Sequence, residues 1–165
     1  MAKTQENLQA AFAGESQANR KYLAFAEKAD KEGYGHAARL FRAAAEAETI
    51  HAHSHLRALG GIKSTKENLE AAVGGETYEY KEMYPPMIDD AKAEGDKKAE
   101  LSFTYANAAE KIHAGLFRKA LESLGKGGPE PDVYVCKVCG HIAEGAPPDQ
   151  CPICKAKKEM FKKID

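Results

Sequence analysis

The sequence has little of what a membrane-bound, secreted or nucleic-acid-binding protein needs. Its 165 residues carry a formal charge of −1 at pH 7, which provides no electrostatic attraction to nucleic acid or to a membrane surface. No apolar run approaches the roughly 18 residues of a membrane span, and the first residues lack the apolar core of a signal peptide. We therefore expect a cytoplasmic protein with no membrane or nucleic-acid partner.

Cysteine is scarce, and all four cysteines lie in the last 30 residues, as two Cys-x-x-Cys pairs. In a reducing compartment this pattern indicates a metal site rather than disulfides. The Gly- and Pro-rich stretch just before these pairs is typical of a linker. We expect a helical domain over 1–125, a linker over 126–131 and a small metal-bound domain over 132–165, since domains below roughly 40 residues usually need a metal.

Runs of β-branched residues are almost absent from residues 4–124, where Ala, Glu and Lys dominate. Apolar residues recur there at three- and four-residue steps, which predicts an all-α fold built as an antiparallel four-helix bundle. Thr65 is the expected N-cap of the third helix. The four predicted helices cover about 4–31, 36–59, 65–95 and 96–124.

The second half of the helical region repeats the first. Residues 6–16 align with residues 67–77 at an offset of 61, and residues 48–52 align with residues 110–114 at an offset of 62. The offset therefore grows by one between Thr77 and Ala91, an interval that contains Pro85 and Pro86. One extra residue inside a helix predicts a π-bulge, a feature frequent at functional sites.

Acidic and imidazole side chains occupy inward-facing positions about halfway along all four predicted helices. A solvated charged face explains this poorly, because the Lys and Arg residues lie on other faces. Several buried carboxylates would repel one another and lose hydration without a cation. One Glu from each of two helices and Glu-x-x-His from the other two is the di-iron carboxylate pattern of bundle proteins. The residues are Glu15, Glu48, His51, Glu76, Glu110 and His113, with Glu79 one turn beyond Glu76.

These helices and the cysteine pairs that follow them resemble rubrerythrin over essentially the whole chain. The most specific motifs are Ala-Gly-Glu-Ser at 13–16, Glu-x-x-His at 48–51 and 110–113, Glu-x-x-Glu at 76–79, and the cysteine set. The resemblance implies a ferritin-like four-helix bundle followed by a small rubredoxin-like domain.

The resemblance also implies a role for each ligand. Glu48 and Glu110 would bridge two irons, and Glu76 and His113 would complete one of them. Glu15 would bind the other iron, with Glu79 or His51 as its changeable ligand: the carboxylate when oxidised, the imidazole when reduced.

Tyr22 and Tyr84 match the tyrosines that the family places beside its metal ligands. Ordinary core packing explains each tyrosine equally well. Among the other histidines, we expect His36, His53 and His141 on the surface or in loops. His55 is expected to be a hydrogen-bonded core residue.

The four cysteines, Cys136, Cys139, Cys151 and Cys154, predict tetrahedral sulfur coordination. Their spacing alone does not separate zinc from iron, and in isolation a zinc ribbon is the better interpretation. Gly140, Tyr134 and the attachment to a di-iron bundle that needs electrons favour a rubredoxin-like Fe(Cys)4 centre, with zinc as the alternative.

By this resemblance the chain is a peroxidase that reduces hydrogen peroxide to water. Electrons would arrive one at a time through the Fe(Cys)4 centre from an external donor, either an NAD(P)H-dependent reductase or a rubredoxin. Two other functions fit parts of the sequence. One is a ferroxidase that handles iron, which has no need of an attached electron carrier. The other is a non-catalytic zinc-ribbon interaction protein.

The connection between the second and third helices is too short for a bundle formed by one chain. In a ferritin-like bundle these helices run parallel, so the link must span about 30 Å. Residues 60–64 reach only about 20 Å when fully stretched. The sequence thus predicts a domain-swapped homodimer with two di-iron sites.

Overall fold

Helices dominate the computed structural model, which describes residues 2–128 and 130–165. None of the helices in these ranges is long and apolar enough to cross a membrane. The chain divides into two compact units, the first ending at Lys63 and the second beginning at Ser64. The helical elements are α1 (Lys3–Lys31), α2 (Gly35–Ala58), α3 (Thr65–Tyr78), a π-helical segment (Glu79–Met83), α4 (Tyr84–Glu94) and α5 (Lys97–Ser123).

The first unit is a helical hairpin of α1 and α2 that packs on small side chains. Alanines recur every seven residues on the buried face of α2, which lets the two backbones approach closely. Asn19 of α1 is buried, and its Nδ2 donates to the Ala45 carbonyl at 2.6 Å. The buried alanines are Ala26 and Ala29 in α1 and Ala38, Ala45 and Ala52 in α2.

The buried residues of α2 lie one position later in the chain than the residues expected to point inward. Within this unit Glu48 is half-buried and His51 is exposed, whereas Ala45 and Ala52 are buried. The face that carries the alanines is buried because small side chains permit the closest contact between the two helices. The ligand-bearing face of the hairpin is consequently left partly open.

In the second unit, the predicted third helix is interrupted by the π-helical segment Glu79–Met83. The Tyr84 N–H donates to the Glu79 carbonyl, five residues back. Pro85 and Pro86, which have no N–H to donate, follow in the first turn of α4. The π-bulge predicted from the slipped repeat offset is therefore confirmed, and it begins at Glu79.

Helix ends in this unit are capped by short polar side chains. The N-cap of α3 is Ser64 and not Thr65 as predicted. Ser64 Oγ accepts from the Glu67 N–H, and Glu67 Oε2 accepts from the Ser64 N–H at 3.2 Å. This reciprocal capping box selects Ser64 because a Glu must lie three residues after the cap. At the other end, Gly95 adopts φ +73° after α4, and Asp96 caps α5.

The second unit ends in a small cysteine-containing module. Its antiparallel sheet has the order β2-β1-β3, formed by β1 (Val133–Cys136), β2 (Ile142–Glu144) and β3 (Phe161–Ile164), with a 3-10 turn at Lys158–Met160. The buried cysteines form its core, against which Tyr105 of α5 packs. An ion pair between Lys119 and Glu144 also joins α5 to β2. The bounds 1–125, 126–131 and 132–165 stay a prediction.

Candidate metal centres

The first unit brings together three of the expected ligands. The ligand atoms of Glu15, Glu48 and His51 lie within 4.8 Å of one another. His51 Nδ1 is 3.0 Å from Glu48 Oε2, across one turn of α2. A hydrogen bond with Glu48, followed by burial, raises the pKa of Glu15. The pKa of Glu48 is lowered by hydrogen bonds with Glu15 and His51. The pKa values of the two carboxyl groups therefore shift in opposite directions, as expected of two acids that lie close together.

The second unit brings together the repeat-related three. The ligand atoms of Glu76, Glu110 and His113 also lie within 4.8 Å of one another. His113 Nδ1 lies 2.7 Å from Glu110 Oε2 and 3.6 Å from Glu76 Oε2. Burial, followed by the neighbouring Glu110 carboxyl group, raises the pKa of Glu76 to about 7. This carboxylate is thus hard to ionise near neutral pH unless a cation is present.

The two histidines differ in what holds their outer nitrogen. His113 Nε2 donates to the Gly140 carbonyl at 3.0 Å, and a carbonyl can only accept. This hydrogen bond places the ring proton on Nε2 and leaves Nδ1 free to bind a metal. The His113 side chain is 14% exposed, whereas that of His51 is 55% exposed. The repeat therefore contains one fixed and one freer imidazole.

Glu79 begins the π-helical segment and Tyr84 directly follows it, and both lie close to this second cluster. Glu79 is not part of the cluster of three, but burial and then the Glu76 carboxylate raise its pKa. Burial, followed by the carboxylates of Glu110, Glu79 and Glu76, raises the pKa of the Tyr84 phenol. Tyr84 is therefore held as a neutral hydroxyl beside three carboxyl groups.

Tyr22 lies in the first unit and packs in an aromatic group. Its ring centroid is 6.3 Å from that of Phe25 and 6.2 Å from that of Phe41. Tyr22 is half-buried and Phe25 is 47% exposed, so this group lies at the edge of the hairpin. A role for Tyr22 beside the metal ligands stays a prediction.

The four cysteine sulfurs also lie within 4.8 Å of one another. Cys136 and Cys154 sulfurs are 3.6 Å apart, and Cys139 and Cys151 sulfurs are 3.5 Å apart. A tetrahedral metal with bonds of about 2.3 Å to sulfur sets neighbouring sulfurs about 3.8 Å apart. The observed spacing fits one such ion.

Backbone N–H groups point at these sulfurs, as expected for a rubredoxin-like knuckle. Burial alone would raise the pKa of the Cys151 thiol, but N–H groups of Cys154 and Ile153 lower it overall. Cys139 accepts from the His141 N–H, although burial dominates and raises its pKa. Hydrogen bonds to the thiolate form stabilise the charge that a metal-bound sulfur carries.

The donor sets fit different metals. Glu76 Oε2 is buried without a hydrogen-bond partner, as a ligand atom would be before a cation binds. Two carboxylate–imidazole clusters of hard and borderline donors suit two irons, and four thiolates suit one iron. The expected cofactors, two irons in the bundle and one in the cysteine site, are consistent with these donors.

Some functional candidates were missed or misplaced by sequence reasoning. His141 lies in a loop, but it is only 8% exposed, and its ring makes an edge contact with Phe161. Its position next to a knuckle glycine was the one signal for burial. His36 and His53 are exposed, as predicted. His55 is half-buried and close enough to affect the pKa of Glu15, yet it lies outside the ligand cluster.

Comparison with known proteins agrees with this geometry. The family model described as Rubrerythrin matches residues 6–121, and the model described as Rubrerythrin, rubredoxin-like domain, matches residues 134–162. Rubrerythrin-2 of Clostridium acetobutylicum is 38% identical over 97% of this chain and 96% of its own length. Nigerythrin of Nitratidesulfovibrio vulgaris is 38% identical over 96% of this chain and 85% of its own length.

The solved structures give the same result. Fully reduced, all-ferrous nigerythrin is similar with a TM-score of 0.60 at 35% identity, over 99% of this chain and 88% of that chain. The expected all-α ferritin-like fold with a rubredoxin-like domain is confirmed by these matches.

The raised pKa of Glu76 predicts how stability depends on pH without metal. The folded-state pKa is about 7 against 4.5 for the free side chain, so between these values the folded protein binds the extra proton. The contribution of Glu76 to the free energy of unfolding is therefore fully present below about pH 4.5, and it is lost as the pH rises towards 7. We expect chelated protein to lose on the order of 1 kcal/mol of unfolding free energy between pH 5 and pH 8.

Denaturant unfolding followed by circular dichroism measures this loss. The control is Glu76→Gln, which cannot ionise and should show a smaller loss between the same pH values. Equal losses in the two proteins would contradict the assignment to Glu76. Metal loading should also reduce the loss in the native protein, because metal replaces the proton.

Proposed function

The chain belongs to the rubrerythrin family, and from that membership we propose that it is a hydrogen peroxide reductase that protects against oxidative stress. Peroxide would be reduced to two waters with two electrons and two protons. The family makes the chain an oxidoreductase with a di-iron site and a rubredoxin-like centre. The choice of peroxide as substrate, and a cytoplasmic location, are parts of the proposal.

One hydrogen bond supports this function best. His113, from the carboxylate cluster, donates to the carbonyl of Gly140, which directly follows the cysteine ligand Cys139. When bound, the two bundle irons supply an electron pair and Lewis acidity, and the cysteine-bound iron relays single electrons. A covalent and hydrogen-bonded path thus joins the cysteine site to the cluster of Glu76, Glu110 and His113 in the same chain. An iron store has no use for such a connection, and neither has a zinc-ribbon scaffold.

Different residues of the chain would hold each of the two irons. By resemblance to the family, Glu48 and Glu110 would each bind both irons, and in the structure each contacts the histidine of its own Glu-x-x-His turn. Glu76 and His113 would hold one iron permanently, with the His113 ring oriented by Gly140.

The other iron would have a choice of ligand. Glu15 is its permanent ligand in this proposal. The His51 side chain is 55% exposed against 14% for His113, so its ring is freer to bind or leave. Glu79 has no counterpart in the repeat and begins the π-helical segment. These two residues are the proposed alternatives.

Tyr84 would bind the substrate oxygen by hydrogen bonding. Its raised pKa keeps the hydroxyl protonated beside the carboxylates, so it can donate to an oxygen bound nearby. Tyr22 is assigned the same task from the first unit by resemblance to the family.

The complete di-iron site would form between two chains. Among the described residues, each unit holds one carboxylate–imidazole set of three ligands, and α2 ends at Ala58 while α3 begins at Thr65. The six linking residues reach about 20 Å, short of the about 30 Å that a ferritin-like bundle within one chain requires. We propose a domain-swapped homodimer in which α1 and α2 of one protomer join α3–α5 of its partner. An external rubredoxin or NAD(P)H-dependent reductase would supply the electrons.

Removing Glu79 tests the changeable ligand. Glu79→Ala should slow peroxide turnover about tenfold or more, because the oxidised iron loses one carboxylate. Most of the iron should stay bound, since the six other ligands remain. Steady-state peroxide consumption and iron analysis measure the two effects. Glu82→Ala, an exposed residue in the same π-helical segment, is the matched control and should be neutral. Unchanged turnover in Glu79→Ala would remove this residue from the mechanism.

Complementation between two inactive variants tests the swapped dimer. Glu48→Ala and Glu110→Ala should each abolish turnover. A swapped heterodimer purified with two affinity tags contains one doubly defective site and one intact site, so it should recover about half the activity of the native dimer. If each site belonged to one chain, both sites would stay defective. An inactive heterodimer, or a native protein that is active as a monomer, would refute the swap.

A further inference from the structure

We propose that an acidic one-electron carrier protein docks on the second cysteine knuckle of the module, residues 151–155, with the Lys155 ammonium as a main contact. The inference rests on the proposed function, because it concerns where electrons come in. It assigns a surface and a partner chemistry that the metal ligands alone do not specify.

The cysteine centre has one closed side and one open side. Cys136, Cys139 and Cys151 are 1%, 8% and 0% exposed. The Gly140 carbonyl that follows Cys139 is engaged by His113, so this side faces the carboxylate cluster. Cys154 is the one half-buried ligand. A carrier approaching from solvent therefore comes nearest to a sulfur at Cys154.

Lys155 follows Cys154 directly and adopts an unfavourable backbone conformation. Its φ is +63°, and among the described residues it is the only non-glycine with a positive φ. In the left-handed region the Cβ of an L-residue comes too close to the following carbonyl oxygen, so this conformation is strained. At the matching position of the first knuckle stands Gly140, with φ +78°. A glycine would adopt this conformation in the second knuckle without strain. A lysine at this position therefore suggests that its side chain contributes to function.

The Lys155 side chain is held across the knuckle. Its Nζ donates to the Pro152 carbonyl at 3.0 Å, and its N–H donates to the Cys151 carbonyl at 3.0 Å. Within residues 2–128 and 130–165, Lys155 forms no ion pair with a carboxylate. The positive charge is therefore positioned over the knuckle and is left for a partner.

The surroundings favour an acidic partner. Residues 151–158 include three lysines and no carboxylate, with Asp149 and Glu159 just outside this range, although the whole chain has a formal charge of −1. A group of lysines beside a redox centre attracts and orients an acidic protein.

Charge reversal at Lys155 tests the surface. The full chain is oxidised, and the rate at which its cysteine centre is reduced is followed by stopped-flow absorbance. Two reductants are compared: reduced rubredoxin, an acidic protein, and reduced methyl viologen, a small cation. For Lys155→Glu we expect about tenfold slower reduction by rubredoxin at low salt, a difference that shrinks at high salt. Reduction by methyl viologen should not slow.

Lys155→Gly separates docking from folding. This variant should melt at a higher temperature, because the strain is removed, yet accept electrons from rubredoxin about threefold more slowly. Lys31→Glu, an exposed site on α1 with the same change in charge, is the control and should leave the rate unchanged.

A binding measurement completes the test without turnover. The full chain with zinc in the cysteine site is titrated with oxidised rubredoxin by calorimetry, and Lys155→Glu should weaken binding by a similar factor. Equal rates in Lys155→Glu and the native protein would overturn the proposal. So would equal slowing with both reductants, which indicates a changed potential, or a lower oligomeric mass, which indicates that a second copy covers this surface.

Failure of the docking surface is distinguishable from failure of the peroxidase. Native protein supplied with reduced methyl viologen should consume peroxide whether or not Lys155 matters. Absence of that turnover would contradict the proposed function and leave the rubredoxin comparison intact.

Discussion

The structure depends on pairs of carboxyl groups that lie so close together that their ionised forms need a cation between them. Glu15 with Glu48, and Glu76 with Glu110, lie close enough to share protons, and burial raises the pKa of Glu76 to about 7. Desolvation and like-charge repulsion would destabilise any such arrangement. Metal ions remove both problems at once. Both clusters are therefore suited to bind cations, and the helices around them position the ligands.

Duplication explains the ligand set, and departures from the repeat explain its asymmetry. The Glu-x-x-His turns of α2 and α5 are equivalent in sequence, but only His113 is oriented by a carbonyl from the cysteine module. Glu79 faces no counterpart and begins the π-helical segment, where the second half of the repeat has its additional residue. The second half of the repeat therefore differs from the first in both its oriented imidazole and its additional carboxylate, and a redox-dependent change of ligand belongs to the proposed function.

Much of this could be predicted from the sequence because it depends on spacing. Ligands one turn apart on helices, two Cys-x-x-Cys pairs and a one-residue slip in a repeat carry clear structural meaning. The clusters Glu15–Glu48–His51 and Glu76–Glu110–His113 and the position of the π-helical segment follow from such patterns. Their catalytic roles belong to the proposed function.

Other features could not be predicted, because they depend on contacts distant in sequence or on competition between neighbours. The cap of α3 is an exception, because Ser-x-x-Glu at 64–67 is a capping-box pattern visible in the sequence, and the choice of Thr65 overlooked it. Burial of His141 depends on the packing of its loop against Phe161. The alanine stripe of α2 prevails over the adjacent face because of helix–helix distance, which no periodicity reports. The left-handed conformation of Lys155 contradicts the propensity of lysine, and only the knuckle geometry imposes it.

The most direct test of the central claim is a titration of the fully reduced protein with hydrogen peroxide in the absence of oxygen. Both iron centres are followed, the cysteine centre by its visible absorbance and the bundle irons by Mössbauer spectroscopy. The account predicts that both centres become oxidised, with one peroxide consumed for every two electrons and no oxygen released. Release of oxygen, or a cysteine centre that stays reduced while peroxide is consumed, would contradict it.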